Sequence, residues 1–189
     1  MIKAVVFDCF GVVVGKSFWD VYDIAGGDSI KDAEFIDDIL DRANSGAITA
    51  EAFTTEVAAK LGITPDEWGV VRDREEQPNE PLLTFIRDAL KPQYKIGLLS
   101  NANHGTIERK IPEQWRKVFD DIVVSAEVGL LKPDLAIFKL AAKRLGVSPE
   151  EVLFSDDLEE YLGGAQSVGM QTILYKDLAD FKAKLERLL

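Results

Sequence analysis

The sequence predicts an α/β protein: a Rossmann-like, doubly wound parallel sheet with an inserted all-helical cap. Two observations predict it. Short, nearly continuous apolar runs alternate with helical patterns along most of the chain, while residues 17–78 carry helical patterns alone. Strands covered on both faces read as unbroken apolar runs. Joined through helices, such strands give right-handed crossovers and a parallel sheet with helices on both sides.

Residues 3–7 are rich in β-branched and aromatic side chains, and similar runs recur at 95–99, 122–125, 152–155 and 171–175. Helical patterns fill 80–90, 133–145 and 158–168 between them. Within the inserted stretch, 30–43, 50–61 and 65–74 have apolar residues at helical spacing, with no strand candidate among them. Gly62-Ile63-Thr64-Pro65 and Gly146-Val147-Ser148-Pro149 share one pattern. A glycine stop, a hydroxyl N-cap and a proline in the next first turn mark a helix-to-helix connection at both places. The expected division is a core of residues 1–16 and 79–189 and a helical cap of residues 17–78. Residues 11–17 form the outgoing linker and Gln77-Pro78-Asn79 the return.

At 189 residues and 47% hydrophobic content the chain can bury a proper core. Its 33 acidic against 22 basic residues, a formal charge of -11, argue against nucleic acid or an anionic membrane as partner. For an enzyme acting on anions, that field has to be overcome locally by a lysine, a helix N-terminus or a metal ion. One cysteine excludes an intramolecular disulfide, and one histidine leaves little room for a zinc site. The first residues run straight into a strand without the pattern of an export signal, and no apolar stretch approaches the ~20 residues of a spanning helix. The expectation is a soluble, cytoplasmic protein, monomeric or homodimeric.

Three apolar runs close on polar side chains: Val5-Val6-Phe7 on Asp8, Leu98-Leu99 on Ser100 and Asn101, and Phe154-Ser155 on Asp156 and Asp157. Leu131-Lys132-Pro133 adds a lysine. Tips of parallel strands converge at the carboxyl edge of the sheet, where open α/β sheets bind ligands. An aspartate, a small hydroxyl, a lysine and a paired carboxylate are the equipment for moving a phosphoryl group through an aspartyl ester. In isolation each has a plainer explanation: a turn cap for Asp8, a solvated charge for Lys132, and helix-dipole acids for Asp156 and Asp157.

These four segments, in this order, resemble the haloacid dehalogenase-like hydrolase superfamily, and the resemblance covers nearly the whole chain. It implies Asp8 as nucleophile, Ser100 as the phosphate- or oxyanion-binding hydroxyl and Lys132 as the cation beside the nucleophile. It implies Mg²⁺ held by Asp8, the backbone carbonyl of Phe10 and Asp157, with Asp156 holding a metal-bound water. Adjacent carboxylates need such a cation to remain ionised together, and Mg²⁺ suits few protein oxygens plus phosphate. Asn101, Asn103 and Phe10 are candidates to touch substrate. His104 is a weaker one, and Cys9 is expected to be a small core residue. Phe18, Trp19 and Tyr22 either wall the site or pack the cap.

Phe10 stands where the family's phosphatases carry a second aspartate, which protonates the leaving alcohol and later activates water, work worth about 10²- to 10⁴-fold. Tyr161 likewise stands near where an asparagine is common. The leading expectation is a Mg²⁺-dependent phosphatase of a small phosphorylated metabolite, slow or specialised for good leaving groups. A metal-independent 2-haloacid dehalogenase fits the aromatic Phe10 but not the acidic pair. A weakly active ligand- or protein-binding member of the family is the third possibility.

Overall fold

A computed structural model describes residues 1–188 of the chain. Its sheet contains β1 (Ala4–Phe7), β2 (Lys95–Ser100), β3 (Asp121–Val124), β4 (Val152–Asp156) and β5 (Gln171–Leu174) in the order β3-β2-β1-β4-β5. Every neighbouring pair is parallel. The chain winds outward from β1 in one direction, then returns to β1's other side with β4, so the topological switch lies between β1 and β4. Ligands of open α/β sheets sit at that point, and Asp8 and Asp156 end the two strands.

Alternation along β1 sorts its side chains between two cores. Val5, Phe7 and Cys9 face one, with Leu82, Ile86, Ile107 and Phe181, while Ala4 and Val6 face the other, with Ile137, Phe138 and Phe154. Between β1 and β2 lie only helices up to the return linker: α1 (Phe18–Ile24), α2 (Ala33–Asn44), α3 (Ala50–Leu61) and α4 (Pro65–Glu75). They bury a third core around Tyr22, Ile36, Ile39, Val57 and Trp68. Thr64 and Glu67 form a reciprocal capping box around Pro65, and Gly62 ends α3 at φ 70°.

The core helices are α5 (Glu80–Phe85), α6 (Thr106–Lys110), α7 (Glu113–Arg116), α8 (Ser125–Val128), α9 (Leu135–Leu145), α10 (Glu159–Ser167) and α11 (Leu178–Leu188). The pattern over 80–90 is α-helical only to Phe85 and continues as one π-helical turn, Ile86–Leu90. Gly146 does stop a helix, but Pro149–Glu151 form a single 3-10 turn and not a new helix. The Ser148–Glu151 capping box closes within three residues because Val152 already begins β4.

The two linkers run side by side and antiparallel. Gly15 N–H donates to the Gln77 carbonyl at 2.8 Å, and Asn79 N–H to the Val13 carbonyl at 2.8 Å. A Cβ on Gly15 would lie 2.0 Å from the Glu75 carbonyl oxygen, so only glycine allows this approach. No helix among the described residues is long and apolar enough to cross a membrane.

Candidate active site

At the switch point the Lys132 ammonium lies between two carboxylates, 2.5 Å from Asp8 Oδ1 and 2.7 Å from Asp156 Oδ2. All three are nearly inaccessible: Asp8 is 6% exposed, Lys132 3% and Asp156 0%. The Asp156 Oδ1 accepts the Leu158 N–H at 2.9 Å, which fixes the carboxylate across the start of α10. Asp157 is less buried, and one ligand oxygen from each of Asp8, Asp156 and Asp157 lies within 4.8 Å of the others. Gly11 permits this arrangement. It sits at φ 82°, and a Cβ there would come 2.2 Å from Asp157 Oδ2.

Burial pushes the Asp8 carboxyl up to about 8, opposed by Lys132 and reinforced by Asp156. Burial, then Asp156, raises Asp157 to about 6. For Lys132, burial disfavours the charge, but Asp8 and Asp156 outweigh it and raise its pKa. Ionised together, three carboxylates face one ammonium, leaving two negative charges in excess in a largely buried site. A hard divalent cation among oxygen donors matches that donor set and that charge.

Lys132 is built in from the back. Asn101 accepts the Lys132 N–H at 2.8 Å through Oδ1 and donates to the Lys132 carbonyl at 2.9 Å through Nδ2. The Tyr161 ring lies over the ammonium, 4.5 Å from Nζ to centroid, and Phe154 lies 5.5 Å away. A cation screened by ring faces and held by two carboxylates has nowhere else to point.

A cavity of about 900 Å³, including its open mouth, spans the seam between sheet edge and inserted helices. Asp8, Lys132, Asp157 and Phe10 line its core side, and Phe18, Trp19, Leu40 and Phe53 its helical side. Asn101 and Asn103 also line it. Asn103 donates from Nδ2 to the Ile48 carbonyl at 2.8 Å, and Ser125 donates to the Asn44 carbonyl at 2.6 Å, so both bonds tie the core to the helical insertion.

Ser100 is placed differently from its expected companions. It is fully buried at the end of β2, its hydroxyl has no oxygen or nitrogen partner among the described residues, and it is not among the cavity walls. The register pairs Phe7 with Leu98, which sets Ser100 level with Cys9 on the other side of the strand from Asp8. Cys9 is buried, its thiol pushed up by burial and then by Asp8. Exposed His104 does not line the cavity, and Tyr22 packs inside the helical insertion. Three charged cavity residues had no signal of their own in the sequence: Arg72, Glu76 and Arg109.

A family model of the haloacid dehalogenase-like hydrolases matches residues 2–169. The chain belongs to that family. Among curated proteins it is 29% identical over 195 residues to mouse acyl-CoA dehydrogenase family member 10, a match covering 90% of this chain and 18% of that protein. It is 40% identical over 70 residues to the glyceraldehyde 3-phosphate phosphatase of Methanopyrus kandleri, covering 32% of this chain and 30% of the other. The chain thus matches well under two thirds of the length of either relative. Among solved structures, a HAD family enzyme from Bacteroides thetaiotaomicron in complex with magnesium and inorganic phosphate superposes with TM-score 0.74 at 22% identity, covering 96% and 99% of the two chains. The 2-haloacid dehalogenase of Pseudomonas syringae superposes with TM-score 0.63 at 19% identity over all of both chains. At these identities the likeness is one of fold.

Proposed function

We propose that the protein is a Mg²⁺-dependent phosphohydrolase of small phosphorylated metabolites, acting through an aspartyl-phosphate on Asp8. The observation that carries this is the Lys132 ammonium set between Asp8 and Asp156 with Asp157 beside them. Asp8, Asp157 and the Phe10 carbonyl would hold Mg²⁺, which supplies positive charge for the phosphoryl oxygens. Asp156 serves there mainly as the second anchor of Lys132, since both its oxygens are already engaged.

In the first step an Asp8 oxygen forms a bond to phosphorus while the ester P–O bond breaks and the alcohol oxygen leaves with the electron pair. Lys132 shares its charge with the attacking carboxylate and holds its rotamer. No acid stands at Phe10, so the leaving oxygen takes its proton from water. In the second step water adds to phosphorus, the Asp8–phosphorus bond breaks, and phosphate and the free carboxylate are released. Asn101 is a positioning residue for Lys132 in this scheme. Asn103 holds the wall formed by the inserted helices, which act as the cap that selects substrate.

The test is phosphate release from aryl phosphate with and without Mg²⁺, in the wild type and Asp8→Asn. Mg²⁺-dependent release lost in the variant supports the proposal, and release retained by the variant rejects it. One observation favours a second reading. Phe10 lines the cavity beside Asp8, as suits displacement of a halide, which leaves without a proton. Halide release from a 2-haloacid in the absence of Mg²⁺ separates the two.

A further inference from the structure

The cavity carries a second charged group that the phosphoryl chemistry does not use, at the seam between α4 and α6. Arg72 donates to both oxygens of buried Glu76 at 3.1 Å each. Lys110 reaches across from the core to Asp73 and Glu76, at 2.9 Å each. Arg109 completes the group. Its guanidinium meets only uncharged oxygens among the described residues, the His104 carbonyl at 3.3 Å and the Thr106 hydroxyl at 2.9 Å. Of its five N–H donors, the others are free.

Where the cavity meets this seam its lining carries two guanidinia, Arg72 and the exposed Arg109, and one carboxylate, Glu76, while Asp8 and Asp157 line the same cavity beside Lys132. Glu108 and Asp73 line only the outer cleft that Arg109 shares with the cavity. Glu76 is already committed to Arg72 and Lys110, so this wall offers nothing to an ammonium group. In a protein of formal charge -11, it offers an unmatched positive charge on Arg109. A planar fork with free donors matches a carboxylate better than any neutral group.

Taking the phosphohydrolase reading as its basis, we propose that Arg109 is a specificity-determining residue that binds a carboxylate on the substrate. The preferred substrates are then small phosphate monoesters bearing a carboxylate, their carbon skeleton lying against Phe18, Leu40 and Phe53. A second phosphate would bring more charge than one free guanidinium can answer.

The experiment compares phosphate monoesters of ω-hydroxy acids, from glycolate to hydroxybutyrate, each with the monoester of the diol of equal length. With Mg²⁺, the wild type should favour the acid in kcat/KM on the order of ten-fold at one chain length or more. Arg109→Gln should bring that ratio to about one, Arg109→Lys should fall between, and Lys117→Gln, at the exposed end of α7, should keep the wild-type ratio. Two results overturn the proposal while leaving the phosphohydrolase reading intact: diol esters hydrolysed as well as acid esters at every length, or a preference that survives in Arg109→Gln. If neither kind of ester is hydrolysed while aryl phosphate is, the Arg109 assignment fails alone; if aryl phosphate is not hydrolysed either, the phosphohydrolase reading fails with it.

Discussion

The Tyr161 ring covers the Lys132 ammonium, 4.5 Å from Nζ to the ring centroid, while the Tyr161 hydroxyl accepts the Asn101 amide at 3.4 Å. The ring therefore excludes water from the cation that neutralises Asp8. A desolvated cation–π contact is worth about 2 kcal/mol. Tyr161→Ala should lower kcat/KM by about thirty-fold on that figure, whereas Tyr161→Phe, which keeps the ring, should retain most activity. Equal loss in the two variants, read from steady-state kinetics, would assign the effect to the hydroxyl instead.

Metal affinity should depend on pH in a defined direction. Asp8 and Asp157 have pKa values raised to about 8 and about 6, so protons compete for both ligands well above the ordinary carboxylate range. Affinity for Mg²⁺ should fall as pH drops from above 8 through 6. The same shifts act on the metal-free fold. A carboxyl whose pKa is raised on folding stabilises at low pH and loses that contribution as pH climbs toward the folded value. Metal-free protein should therefore lose stability between about pH 4 and pH 8, and Mg²⁺ should restore most of it by mass action. Calorimetric titration showing pH-independent Mg²⁺ affinity across that range contradicts both statements.

Phe10 should set the dependence on leaving group. With no acid at that position, rates should fall steeply as the alcohol becomes more basic, and aryl or acyl phosphates should outpace alkyl ones. Phe10→Asp should flatten the dependence and raise alkyl phosphate turnover, by up to about 10²-fold. A folded Phe10→Asp protein that hydrolyses no phosphate ester faster than wild type removes this explanation.

Lys110 joins core to helical insertion through Asp73 and Glu76 and is only 11% exposed in its side chain. Lys110→Ala leaves Glu76 with Arg72 alone. It should cost about 1–3 kcal/mol in urea unfolding and raise KM by loosening the cavity wall. A change below about 0.5 kcal/mol, the range of ordinary surface substitutions, would mean that the clasp is incidental.

The parts of this site visible in the sequence are those bound to strand ends. Asp8, Asp156 and Asp157 each follow an apolar run, and a parallel sheet brings such tips to one edge whatever the details of packing. Lys132 is legible only as a member of the set, since its partners lie 124 and 24 residues away in sequence. Ser100 shows where strand-end reasoning stops. It too ends an apolar run, but the period of two along β2 turns it toward Cys9, and that depends on a register no local pattern specifies. Arg72, Glu76, Arg109 and Lys110 are invisible for a related reason. Arg72 and Glu76 read as an ordinary i,i+4 surface pair, and only the docking of α4 against α6 buries them together. The fold itself is readable from apolar runs and stop signals. Helices α1, α6, α7 and α8 are not, because four to seven residues give too little periodicity to separate from loop.

The most direct test of the central claim is to look for phosphate on Asp8. Protein mixed with Mg²⁺ and a fast aryl phosphate, quenched in acid within one turnover and digested, should show a peptide carrying one phosphoryl group at Asp8, by mass spectrometry. The label should be absent from Asp8→Asn and should decay as phosphate appears. A burst of aryl alcohol with phosphate released at once and no labelled Asp8 peptide would contradict the account.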